Sequence, residues 1–356
     1  MILGFFLPWI IFGAILALHV ALPARWIDGY VRDDRDRPLR YRLNGLLVLA
    51  AAVGIAVLLV AVDAAPADLL WQHRWAGLAG ACVFGLLFTA AFVLPAPPTG
   101  RPLLADLYLG RRENPRWRDG TVDAKMWLYL VGAVLLELNV LSFAAHQYLA
   151  LGHLSAAVAL SAGLLIYFVV DYLTFEHVHL YTYDLFAERV GFKLGWGCLV
   201  FYPYFYCVGL WARADEPDPH APAWLLVLAG VVFAAGWTLA RGANMQKFLF
   251  KRDPTARAFG LLEPRPISDG ERTLLCGGFW GAARHINYLG EILMAVGITL
   301  ALGAPGDPVP WLYPLYYVGL LVPRQIDDDR RCAAKYGALW DEYRARVRWR
   351  IVPGIY

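Results

Sequence analysis

The residues of this chain best suited to chemistry lie in three polar clusters of its last third, each beside apolar sequence. The first holds Arg241, Asn244, Gln246, Lys247, Lys251 and Arg252. The second holds Trp280, Arg284, His285, Asn287 and Tyr288, and the third Arg324, Asp327, Asp328, Asp329, Lys335 and Tyr336. Charged groups in or beside a bilayer are costly and usually mark a site. Cations, amides and aromatic rings occur here together, a set that suits a phosphorylated cofactor with flat rings.

Lys247 and Lys251 are four apart and share a face of any helix they sit on. Two lysines at a helix end also follow from the excess of basic residues in cytoplasmic loops. Asn244 and Gln246 favour a ligand, because amides add nothing to lipid-head attraction. Arg284, His285, Asn287 and Tyr288 open an apolar stretch, and a helix N-terminus there offers N–H groups to an anion. Trp280 and Tyr288 also read as an interfacial aromatic belt. Arg324 and Asp328 either pair along a helix, or Asp328 sits in an apolar pocket and donates a proton. The tail from Lys335 to Tyr356 predicts a short amphipathic helix, either a lid or a surface anchor.

Other polar groups lie earlier. Glu137 and Asn139 interrupt an apolar run and should face the bundle interior. Tyr204 and Tyr206, beside Pro203 in the apolar stretch 191–212, read as core aromatics or as proton carriers. Glu176, Asp184 and Glu188 crowd the segment 174–190, and we place Asn139, Glu176, Asp184 and Glu188 on the substrate side. His177 and His179 have the wrong spacing for one helical face, so a solvated loop is expected there and no metal.

The elements that must position these residues follow from composition. The 356 residues are 59% hydrophobic and only 17% charged, with a mean hydropathy of +0.47. That predicts an all-α, polytopic transmembrane bundle of about nine or ten spans. The apolar stretches are about 2–22, 44–64, 75–95, 126–150, 153–173, 191–212, 222–241, 285–303 and 309–323, with a re-entrant piece possible at 174–190. The first lacks a basic leader and a cleavage site and is expected to remain as a span. Arginines crowd the loops 23–43 and 97–125, the segment 242–284 and the tail, which predicts an N-terminus outside and a cytosolic C-terminus. All three clusters then belong to a cytosol-facing, C-terminal cofactor pocket.

We expect one membrane domain over 1–356, with 1–240 the transmembrane bundle and substrate side and 241–356 the cofactor part. The net charge of +3 comes from loops and implies no nucleic-acid partner. The five cysteines form no Cys-x-x-Cys pair, so a zinc site or disulfide framework is not expected. No glycine-rich dinucleotide fingerprint or P-loop occurs, so basic side chains and helix ends must hold any phosphate. No obligate protein partner is evident.

The segments Gly278 to Gly290 and Arg324 to Tyr356, with Pro38 to Gly45, Gly110 to Lys125 and Glu176 to Tyr206, resemble those of the sterol reductase family. That family includes 7-dehydrocholesterol reductase, C14 sterol reductase and the lamin B receptor. The Gly-Phe-Trp-Gly segment at 278–281 and the closing Val-Pro-Gly-Ile-Tyr look most like the 7-dehydrocholesterol group. The resemblance implies NADPH-dependent reduction of a 7,8 or 14,15 double bond in a sterol or related polycyclic isoprenoid lipid. It implies Lys247 and Lys251 on phosphates, and Trp280, Arg284, Asn287 and Tyr288 around the cofactor. Arg324, Asp328 and Tyr336 would close over it, with Tyr206 and Asp328 serving the proton. The chain departs from the family's usual pattern at Lys251, Ile286, Cys198, Gly209, Tyr129 and Val131. The host membrane is a bacterial inner membrane or the endoplasmic reticulum. An alternative is an S-adenosylmethionine-dependent membrane methyltransferase of the isoprenylcysteine carboxyl methyltransferase type, which shares an Arg-His segment and has no phosphate to place on Lys247 and Lys251.

Overall fold

A computed structural model describes residues 2–356, which divide into two compact units, one running to His220 and one of Ala221–Tyr356. The chain is mostly helical, and its only strands among the described residues are three short antiparallel hairpins. Among the described residues six helical stretches are long and apolar enough to cross a membrane, and two shorter apolar helices accompany them.

In the first unit, α1 (Ile2–Ala21) leads into a hairpin, β1 (Arg25–Arg32) and β2 (Pro38–Leu43). The basic stretch expected as a loop is therefore ordered. Arg42 explains part of this, since its guanidinium donates to the carbonyls of His19 and Val20, and Asn44 donates to that of His19. These are orphan carbonyls at the end of α1, which need partners. Then follow α2 (Gly45–Ala61), the short α3 (Leu69–Gln72), α4 (Arg74–Val93), α5 (Leu103–Leu109) and a second hairpin, β3 (Arg116–Trp117) with β4 (Val122–Asp123).

The central helix α6 (Ala124–Leu151) is the most buried of the apolar helices. Asp123 caps it, accepting from the backbone N–H of Lys125 and Met126, and Gly152 ends it in the left-handed region. Ser155 caps α7 (Ala156–Thr174), and Gln147 of α6 accepts from both its N–H and its hydroxyl. After the short α8 (Glu176–His179) and α9 (Tyr183–Phe186), one composite span is built from α10 (Phe192–Trp196), a π-helix (Gly197–Phe205) and α11 (Val208–Arg213). Pro203 lies within the π-helix, and Asn139 donates its amide to the Pro203 carbonyl at 2.8 Å. π-Helical turns are rare and concentrate at functional places.

The second unit is built on α12 (Ala223–Arg252), the hairpin β5 (Pro266–Ser268) and β6 (Thr273–Leu275), the single turn α13 (Phe279–Ala282), α14 (Ile286–Ala301), α15 (Leu312–Tyr336) and α16 (Ala338–Arg346). α12 and α14 cross closely. A side chain on Gly290 would meet the backbone of Gly236 and Ala240, the kind of small-residue contact that lets membrane helices approach. α15 continues past Pro323 for another three turns, so the short expected span 309–323 is the apolar half of a longer helix. α16 lays Leu339, Trp340 and Tyr343 against Tyr336, Ile267 and Val347.

Candidate functional site

In the second unit the residues of the first two clusters meet at the end of α12 and the start of α14. Gln246, only 1% exposed, accepts from the Phe279 N–H at 3.0 Å and donates to the Gly277 carbonyl at 3.1 Å. Its amide is thus spent on clamping the turn that carries Trp280. Gly278 serves that turn with a φ of 61°, a region glycine enters at little cost. Trp280 donates its indole N–H to the Ala243 carbonyl at 2.7 Å, and the Lys247 ammonium lies 5.2 Å from its ring centroid. Asn287 donates to the Asn244 side-chain oxygen at 3.4 Å, while its own amide oxygen is buried without a hydrogen-bond partner. Lys251 lies one turn beyond Lys247, exposed near the helix end.

The third cluster closes around Arg284. This buried guanidinium donates to the carbonyls of Val347 and Arg348 at 2.9 and 3.1 Å and pairs with Asp329 at 3.3 Å. The backbone N–H groups of Arg284 and His285 donate to the carbonyls of Trp349 and Arg350. The tail therefore folds back as a strap over the start of α14. Gln325, one turn before Asp329, donates to the same carboxylate at 2.9 Å, and the Tyr356 hydroxyl donates to Gln325 at 3.2 Å. His285 sits between Asp328 and Asp329, 3.9 and 3.8 Å away, and stacks on Tyr288. Burial pushes the Asp329 carboxyl up, but the neighbouring His285 and the Arg284 charge outweigh it and hold it below the usual range. Burial, with Asp328 and Asp329 beside it, pushes the Cys332 thiol up to about 12, which removes it as a nucleophile near neutral pH. Tyr336 is buried against Trp340, with Lys335 over its ring. Arg324 lies half-buried one turn before Asp328.

The remaining expected residues lie in the first unit. Tyr206 follows the π-helix, its ring 4.8 Å from that of Tyr202. Asn139 lies on α6 facing Pro203 and also lines a small cleft with Leu7, Pro8, His73 and Tyr204. Glu176 accepts from the Gly45 N–H at 3.0 Å, where burial raises its carboxyl to about 7 against the pull of that N–H and of Arg25. Glu188 is buried and pairs with Lys193 at 2.5 Å. Asp184 acts electrostatically on Lys125, whose ammonium donates to the Leu185 carbonyl. His179 stacks on Tyr172 with centroids 3.9 Å apart, so this histidine is packed where a solvated loop was expected. No group of three or more metal-binding side chains occurs among the described residues.

Sequence reasoning did not single out Gln325 or Arg350, nor the phenol of Tyr356 as a partner of both. The four-residue spacing of Gln325 and Asp329 was the available signal for the first. Nothing local marks the strap carbonyls, because any residue supplies one.

Comparison with known proteins matches residues 1–356 to the ergosterol biosynthesis ERG4/ERG24 family. A Delta(14)-sterol reductase of Methylotuvimicrobium alcaliphilum is 33% identical, covering 99% of this chain and 83% of that relative. The Delta(14)-sterol reductase of Arabidopsis thaliana is 31% identical over 94% of this chain and 91% of its own. Delta(14)-sterol reductase TM7SF2 of Mus musculus is 34% identical over 96% and 84% respectively. All three carry the Delta(14) name, whereas the segment 278–281 and the tail led us to expect the 7-dehydrocholesterol group. The methyltransferase alternative gains no support from them. With every expected motif inside one full-length match, the chain belongs to the ergosterol biosynthesis ERG4/ERG24 family of membrane sterol reductases.

Proposed function

We propose that the chain reduces a carbon–carbon double bond of a sterol with NADPH, the 14,15 bond ahead of the 7,8 bond. The observation that carries this reading is the Delta(14)-sterol reductase name shared by relatives that cover nearly the whole chain. The proposed orientation puts the N-terminus outside and the three clusters in the cytosol. Residues 241–356 are the proposed cofactor part and 1–240 the substrate side.

The residues present fit such a cofactor. Asn287 keeps a buried oxygen that can accept from a carboxamide N–H, and Trp280 offers an aromatic surface. Lys247 and Lys251 supply point charges for phosphate, weaker in geometry than an arginine fork. NADPH, when bound, supplies a hydride. Arg324 and Tyr336 are proposed to close the site, and Arg284 to brace it from behind through Asp329 and the strap. Tyr288 supports His285 by stacking.

An electron-rich alkene accepts hydride poorly until it is protonated. Tyr206 in the first unit and Asp328 in the second are the proposed proton carriers. Their proton would go to one alkene carbon and leave the cation on the other, the centre that a hydride from bound NADPH would fill, so that the bond is saturated with no leaving group. Apolar surroundings keep water from that cation. Asn139, Glu176, Asp184 and Glu188 are proposed to shape the substrate side, because the structure already gives Asn139, Glu176 and Glu188 internal partners.

Purified protein in nanodiscs with NADPH and either a C14-unsaturated sterol or 7-dehydrocholesterol tests the reading. The expected outcome is loss of NADPH absorbance with a product heavier by two hydrogens from the first sterol. Absence of NADPH oxidation with both sterols would sink the proposal.

A further inference from the structure

Beyond the basic end of α12, the chain makes a turn and then a small, rigid projection. Asp253 accepts from the N–H and hydroxyl of Thr255, and its carbonyl accepts from Ala256. Ala258 and Leu262 then exchange backbone hydrogen bonds at 3.0 and 2.9 Å. Between them Phe259, Gly260 and Leu261 form a tip. Ala258 and Pro264 are buried, so the base is seated while the tip projects.

The tip is unusual in its backbone and in what that backbone presents. Phe259 has a φ of 57° and Gly260 a φ of 71°, and a bulky residue in the left-handed region is a costly choice where asparagine or glycine would serve. Such strain persists where the surrounding structure enforces it and often serves function. Its result here is to present two large apolar side chains, Phe259 at 52% and Leu261 at 82% exposure. The flanking residues 252–265 carry three cations, Arg252, Arg257 and Arg265, against the two carboxylates Asp253 and Glu263. Arg257 pairs with Glu263 at 2.5 Å, which leaves the surplus positive.

Position identifies the partner. α12 is a candidate span ending at Arg252, and Phe259 follows seven residues later, at most about 25 Å of extended chain. The turn at Asp253 and the 258–262 bridge shorten that reach. Exposed apolar side chains flanked in sequence by arginine match the boundary between acyl chains and anionic headgroups.

We propose that the tip at 257–265 docks into the headgroup layer of the bilayer that α12 crosses. Phe259 and Leu261 enter below the phosphates, and Arg252, Arg257 and Arg265 meet anionic lipid. The contact is independent of the reductase reading, since none of these side chains is assigned to cofactor or substrate.

The test places an environment-sensitive fluorophore (NBD) on Leu261→Cys in the full chain, in nanodiscs with or without phosphatidylglycerol. Ser268→Cys, on the exposed hairpin strand β5, gives the aqueous reference. Labelled parent protein gives the background from the five native cysteines. The expected result is emission at 261 shifted to the blue of that at 268. Nitroxide-bearing lipid should quench it more strongly, and part of both effects should be lost without anionic lipid. Water-like emission at 261 overturns the proposal. So does a blue shift untouched by nitroxide lipid, which would mean a protein surface covers the tip. Phe259→Cys repeats the measurement should the first variant fold poorly.

Discussion

Glu176 is a carboxyl whose folded value, about 7, lies above its ordinary 4.5. The folded chain therefore holds a proton between those values that the unfolded chain releases, and stability falls as pH rises through that window. Glu176→Gln keeps an acceptor for the Gly45 N–H and removes the titration. Melting temperature measured from pH 4.5 to 7 should decline in the parent protein and flatten in this variant. Asp329 has the opposite sign. Its carboxyl is held low, so its contribution is complete above the ordinary aspartate value of about 3.9 and is lost as pH falls through the folded value. Asp329→Asn should weaken the acid dependence of the second unit, read as a smaller drop in melting temperature below that range. At this scale the sequence showed which residues matter more readily than what each does. Gln246 was marked by its place among cations, yet only the folded chain shows its amide clamping residues 277–279.

At the scale of elements, apolar length was the legible signal. The expected stretches at 2–22, 75–95, 126–150, 153–173 and 222–241 reappear as α1, α4, α6, α7 and α12, because about twenty apolar residues in lipid can satisfy their backbone only as a helix. The hairpin at 25–43 was not legible, since its arginines read as a charged loop while its order depends on carbonyls at the end of α1. Nor was the π-helix, which contains Pro203 and takes an amide hydrogen bond from another helix. Asn139→Leu should remove that amide while keeping apolar volume. A loss of about 1–3 kcal/mol is expected, seen as a lower melting temperature. Gly290→Val tests the α12–α14 crossing, where a side chain would meet backbone. Overpacking of this kind costs about 1–3 kcal/mol and should appear as lower thermal stability of purified protein.

For the whole molecule, the two units carry different parts of the proposed chemistry, and one experiment reads the second by itself. Lys247→Ala with Lys251→Ala should raise the KM for NADPH about tenfold or more, the loss of charge-assisted phosphate contacts, with kcat less affected. Sterol binding, measured without cofactor, should be unchanged.

The strap has a consequence in time as well as in space. Arg284 and His285 take their partners from the carbonyls of Val347 to Arg350, which lie beyond all the candidate spans. A nascent chain with its helices already inserted would still leave the Arg284 guanidinium waiting for acceptors that have not been synthesised. A product stopped short of residue 347 would lack these acceptors, so this corner of the fold closes only after the strap itself has been made.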